Sequence, residues 1–111
     1  MSIFRLDAVE YGQIDARYIQ SVDLTITNAG TEDFDVLIHG YHPHGVYYVG
    51  LTHVAVGNTV NVPNITNHNM AFSLLLVTNI NHAFTTLVTL HAKNEGQLVA
   101  VYSHSDFQVI E

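Results

Sequence analysis

Apolar and polar residues alternate with a period of two along most of this chain, and that is the side-chain period of a β-strand, not of a helix. Val22, Leu24 and Ile26 alternate with Asp23, Thr25 and Thr27. Phe34, Val36 and Ile38 alternate with Asp35, Leu37 and His39. Turn-forming residues separate the alternating runs. Asn28-Ala29-Gly30-Thr31 joins the first two, which are therefore expected to pair with each other. Tyr41-His42-Pro43-His44-Gly45 reads as a loop. Short strands follow at Val46–Val49 and Thr52–Val56, or one strand bent near Gly50. Gly57-Asn58 has the composition of a tight hairpin turn. Thr59–Val62 returns from it, and Pro63 stops that strand or confines it to an edge.

Beyond a polar loop at Asn64–Asn69, the Leu-rich run Ala71–Thr78 reads as a strand buried on both faces near its centre. Phe84–Ala92 and Gln97–Ser103 form a hairpin about Lys93-Asn94-Glu95-Gly96, and Phe107–Ile110 is a last short strand. About eight strands at roughly ten-residue spacing predict a two-sheet antiparallel sandwich, jelly-roll-like. Its 111 residues suit one domain. Residues 20–111 carry the sandwich. Residues 1–19 lack clean alternation and admit two readings: the first strand of the chain's own sandwich with a loop, or an extended N-terminal arm that adds a strand to a neighbour. An arm is stable only if it both buries side chains and completes a ladder. The side chains for that are Ile3, Phe4, Leu6 and Val9.

Charge is unevenly spread. Seven of the ten acidic residues precede Val36, and no Asp, Glu, Lys or Arg occurs from Val36 to Ala92. A lone domain normally keeps charges on its solvent-facing strand positions. Thr, Asn, His, Ser and Tyr stand there instead, as a neutral hydrated surface or as one covered by other subunits. A net charge of −7 with three basic residues opposes nucleic acid and anionic lipid as partners. No apolar run approaches the roughly 18 residues of a membrane span. The start Met1–Asp7 lacks the basic and apolar pattern of a secretory signal.

Chemistry-bearing constellations are sparse. Cysteine is absent, so disulfides and thiolate ligands are excluded. Among eight histidines, His39, His42 and His44 are the closest group, and His42 and His44 could face one way as a metal clip. Pro43 lies between them, and no acid lies near to orient a ligand. His53, His68, His82, His91 and His104 stand singly, as neutral polar surface groups. Together the histidines could make assembly sensitive to pH between about 5 and 7. Ser103-His104-Ser105-Asp106 has the residue types of a triad, but strand neighbours point to opposite faces. No catalytic residue, cofactor site or phosphate-binding loop is expected. Tyr41, Tyr47 and Tyr48 flank the histidine loop and could stack on a sugar or anchor an interface.

The runs VDLTITNAGT (22–31), FDVLIHG (34–40) and VAVGNTVNV (54–62) give the order strand, Asn-x-Gly turn, strand, Gly-x-Thr-Val turn, strand. In this layout the chain resembles bacterial endospore appendage subunits, pilin-like sandwiches of the spore surface. That resemblance implies fibres built by passing an N-terminal arm into the next subunit's sheet. It also implies a cell or spore surface location reached without a recognisable signal peptide. The best-known members crosslink through arm cysteines, which this chain lacks, so packing and ladder bonds alone would hold its assembly.

The expected function is thus a structural subunit that self-assembles into a fibre or surface layer, with copies of itself as partners. A carbohydrate- or ligand-binding sandwich using Tyr41, Tyr47 and Tyr48 is the alternative. A capsid or decoration protein is a third.

Overall fold

A computed structural model describes residues 1–81 and 83–110. Nine strands form two antiparallel sheets. The strands are β1 (Ser2–Ala8), β2 (Ser21–Asn28), β3 (Phe34–His42), β4 (Gly45–Val54), β5 (Thr59–Thr66), β6 (Phe72–Thr78), β7 (Thr86–Asn94), β8 (Gln97–Ser103) and β9 (Gln108–Ile110). One sheet runs β4-β3-β6-β1-β9 and the other β5-β2-β7-β8. The two-sheet antiparallel sandwich expected from the alternation is therefore the fold.

The core lies between the sheets and is built from alternate residues of each strand. Phe4 and Leu6, Val22, Leu24 and Ile26, Phe34, Val36 and Ile38, Leu74 and Leu76, and Val88 and Leu90 are all buried. The intervening residues face out, as a period of two requires.

Connectivity departs from the local reading. Among the described residues, only β3–β4 and β7–β8 are hairpins. The β7–β8 turn places Glu95 at φ 51° and Gly96 at φ 81°, the paired left-handed conformation that matches strand twist. β2 and β3 do not pair. β2 lies between β5 and β7, whereas β3 lies between β4 and β6 in the opposite sheet. The Asn28–Asp33 segment is a corner, because both strands bury one face and the two buried faces meet across the core. Gly57, at φ 76°, likewise turns the chain from one sheet to the other and is not a hairpin tip.

Several boundaries move for similar reasons. Val46–Val56 is one strand ending at Val54, and β3 runs through Tyr41 and His42 before turning at Pro43-His44. Ala83–Thr85 is a 3-10 turn, with β7 beginning at Thr86. Pro63 sits within β5, an edge strand, where a missing N–H costs no ladder bond. The central Leu-rich strand β6 buries Phe72, Leu74 and Leu76 on one face only; Leu75 and Val77 are partly exposed on the other.

Residues 2–8 are the first of the two alternatives for the N-terminus. β1 is an inner strand of the chain's own sheet, paired over seven residues with β6 and over three with β9. Residues 9–20 form an anchored loop. Val9 bridges Asp15, and Asp15 caps a 3-10 turn at Ala16–Tyr18.

Candidate functional site

The strand register aligns the outward residues of the five-stranded sheet into rows. One row reads Leu51, Leu37, Val77, Ile3, Ile110 across β4, β3, β6, β1 and β9. Every position in it is apolar. The next row reads Val49, His39, Leu75, Arg5, Gln108. On the other side stand His53 and Asp35, and then Asn79, whose amide N–H donates to the Asp35 carbonyl. Leu51 is 74% exposed, Val49 61% and Ile110 57%. A shallow recess of about 420 Å³ lies in this face among Met1, Asp35, Leu37, Leu51 and Val77. Taking strands about 4.8 Å apart and about 6.6 Å per outward position, the apolar row with the adjoining Val49 and Leu75 covers on the order of 200 Å². Contiguous apolar patches are limited to a few hundred Å² on soluble domains, and the most extensive of them are often functional.

The outer face of the four-stranded sheet has a different chemistry. Thr27 and Thr59 share a hydroxyl hydrogen bond of 2.8 Å, Thr25 donates to Asn61 at 2.9 Å, and Lys93 pairs with Asp23 at 2.9 Å. The two outer faces are thus unlike: one sets hydroxyl, amide and ionic pairs beside exposed Leu87, Leu98 and Val101, and the other carries a continuous apolar row.

Polar groups border the apolar rows. His53 Nδ1 lies 2.7 Å from Asp35 Oδ1, and its Nε2 lies 3.5 Å from Asp33 Oδ2. The hydrogen bond to Asp35, with Asp33 adding to it, holds the imidazolium above the usual histidine range. Asp33 is itself fixed by accepting the Val56 N–H at 2.9 Å. At the far border Arg5 and Asp7 pair with each other at 3.0 Å, leaving no net charge there.

The residues singled out from sequence are dispersed. Phe4 and Leu6 lie in the core, Ile3 in the outer apolar row, and Val9 is exposed at the start of the loop. His39 bonds the Tyr41 hydroxyl at 2.8 Å. His42 stacks on the Tyr47 ring with centroids 5.5 Å apart, and accepts the His44 N–H on Nδ1. Among the described residues, no group of three or more His, Asp or Glu is placed to hold a metal ion. His82 lies outside the described residues. Tyr47 and Tyr48 pack over Gly40 and Gly50, with the Tyr47 ring 2.8 Å and the Tyr48 hydroxyl 2.9 Å from where a Cβ would stand. Among the described residues the Tyr47 hydroxyl is buried without a partner, and burial pushes its pKa up to about 12. These two rings are consumed in packing and present no free platform.

Two features were not legible as functional. Leu37, Leu51, Leu75 and Val77 occupy outward positions of alternating strands, and an apolar residue in the wet register was the available signal. The second is Arg17. Its guanidinium grips Asp15 at 2.7 Å and lies 3.7 Å from the centroid of the exposed Tyr11 ring, with Tyr18 at 5.0 Å. Hydrogen bonding from Arg17 lowers the Asp15 carboxyl to about 2.

No protein-family model matches this chain, and no curated protein matches it. Among solved structures, the chain is similar to Thermotoga maritima 1070, with a TM-score of 0.57 at 12% identity, over 92% of this chain and 88% of that one. It is also similar to the Anabaena sensory rhodopsin transducer, with a TM-score of 0.47 at 20% identity, over 84% of this chain and 92% of that one. At 12% identity the first likeness establishes a shared fold.

Proposed function

We propose that this protein is a structural subunit that associates with copies of itself through the outer face of its five-stranded sheet. The observation that carries this reading is the unbroken apolar row Leu51, Leu37, Val77, Ile3, Ile110. Leaving it in water forfeits about 25 cal/mol for every Å² that a partner could cover.

A second copy fits this face better than another partner does. Its apolar row is uncharged and Arg5 pairs with Asp7, so two identical faces can meet about a two-fold axis without opposing like charges along that row. The His53–Asp33–Asp35 cluster leaves net negative charge at one border. Five strands about 4.8 Å apart and about seven residues of 3.3 Å give a footprint on the order of 550 Å². The accessible area of a corrugated face exceeds its flat projection, which brings it near the roughly 800 Å² per partner of a stable interface. An apolar centre with a polar border is the usual anatomy of such contacts. β1 supplies Ile3 to this face from within its own sheet, so the association needs no donated strand. A fibre or layer would require a second contact elsewhere on the subunit.

Sedimentation velocity over 1–100 µM tests the reading. The wild type should show a concentration-dependent dimer or larger species, and Leu51→Asp should be a folded monomer. With about three quarters of Leu51 still exposed, its cover is worth about 1–2 kcal/mol per subunit. The two copies in a dimer, with a desolvated carboxylate added, should therefore weaken association at least 100-fold. A monomer at 100 µM would refute self-association. It would turn attention to the recess of about 250 Å³ beside Tyr41, His42 and Phe72 as a ligand site.

A further inference from the structure

We infer that the His53–Asp33–Asp35 cluster is a pH-sensitive latch on this same face, favouring association when His53 is protonated and opposing it when His53 is neutral. This rests on the self-association proposed above.

Placement is the first argument. His53 and Asp35 are register partners on β4 and β3, one row from the apolar band, and Asp35 lines the recess containing Leu37 and Leu51. A partner covering that recess necessarily covers Asp35 or its immediate border. His53 bridges two carboxylates that come from different positions, Asp33 in the corner before β3 and Asp35 within it. Protonated, the cluster carries one negative charge; neutral, it carries two. Bringing two such clusters onto one low-dielectric interface is opposed more strongly in the second state.

Other charged groups on this face do not produce the same response. Arg5 and Asp7 neutralise each other at the opposite border. The Met1 ammonium donates to the Asn81 side chain, on the far side of Asn79 from His53. Met1 lines the same recess as Asp35, so a variant must separate its charge from that of His53. His39, on the same face two rows along β3, is engaged with Tyr41. Asp33 and Asp35 are the charged groups in contact with His53.

The sign follows from the geometry. Two acids hold the imidazolium above its ordinary range in the free subunit, against the opposing effect of desolvation. In the assembly the negative charge of the second copy's cluster adds to that hold, because the protonated state lowers the charge brought onto the shared interface. Association is then fully supported at pH below about 6.5 and weakens as pH rises through the histidine's raised titration. Each further unit separating His53 in the assembled and free states changes the dissociation constant by up to tenfold per subunit.

The test is sedimentation velocity at constant ionic strength at pH 5.5, 6.5, 7.5 and 8.5. The wild-type Kd should weaken 10- to 100-fold across the series, while His53→Asn should still associate with a flat Kd. An N-terminally acetylated form, lacking the Met1 charge, should keep the wild-type slope. A wild-type Kd that does not move, or a His53→Asn slope equal to the wild type's, overturns the latch and leaves self-association standing. A wild type monomeric at all four pH values overturns both.

Discussion

Asn28 offers the sharpest test of how this fold is held. Its position in an Asn-x-Gly sequence suggests an ordinary turn residue, yet the structure buries it completely. Its Nδ2 donates to the Glu32 carbonyl at 2.7 Å and to the Val54 carbonyl at 3.0 Å, and its Oδ1 accepts the Gly30 N–H at 3.0 Å. Its backbone accepts from Gly57 and donates to Asn58. One residue thus ties the β2–β3 corner to the end of β4 and the start of β5, where the two sheets exchange strands. The Val54 carbonyl bond is buried and the other two side-chain bonds are partly buried. Asn28→Ala leaves the buried carbonyl unpaired, at about 1–3 kcal/mol, and removes two bonds worth about 1 kcal/mol each. The expected loss is about 3–5 kcal/mol, a large share of the total stability of such a domain. In urea the midpoint should fall with the m-value unchanged, and the melting temperature should drop by roughly 10–20 °C. Asn28→Asp keeps the acceptor for Gly30 but loses both donors, and sets a carboxylate against two carbonyls. It should be at least as damaging at pH 7 and partly recover as pH falls and the carboxyl regains a donor. An Asn28→Ala protein destabilised by less than about 1 kcal/mol, or an Asp variant as stable as wild type at pH 7, would refute the clamp.

Two further outcomes follow from individual contacts. The Asp15 carboxyl, depressed to about 2 by Arg17, should titrate near that value by carboxyl ¹³C NMR and return towards 3.8 in Arg17→Gln. Because its folded value is lowered, whatever stability the pair lends is complete above about pH 4 and is lost as pH falls through about 2. Gly40→Ala would place a Cβ 2.8 Å from Tyr47 Cζ, so the ring must move and disturb its stack with His42. A cost of about 1–3 kcal/mol and an altered near-ultraviolet circular dichroism spectrum are expected. An unchanged spectrum would show that the stack does not depend on that packing.

Strand identity was legible because period two is a property of the chain itself. Val22, Leu24 and Ile26, or Phe34, Val36 and Ile38, announce a buried face whatever lies opposite. The β7–β8 hairpin was legible too, since Glu95-Gly96 specifies a turn by local backbone conformation. Pairing elsewhere was not. Asn28-Ala29-Gly30 and Gly57-Asn58 have turn composition, but composition does not say whether the next strand returns beside the last or crosses to the other sheet. That choice depends on Asn28 finding the Val54 carbonyl, 26 residues away.

The amino-acid order alone therefore determined an all-β sandwich, its buried residues, and a long stretch without charge. Only the tertiary structure decided which parts of the chain that stretch is joined to. Leu51, Leu37, Val77, Ile3 and Ile110 come from five strands spread across the chain and form one row only once the register of β4, β3, β6, β1 and β9 is set. Alternation tells each strand which side faces inward. The neighbours it meets across the ladder are chosen by the core as a whole.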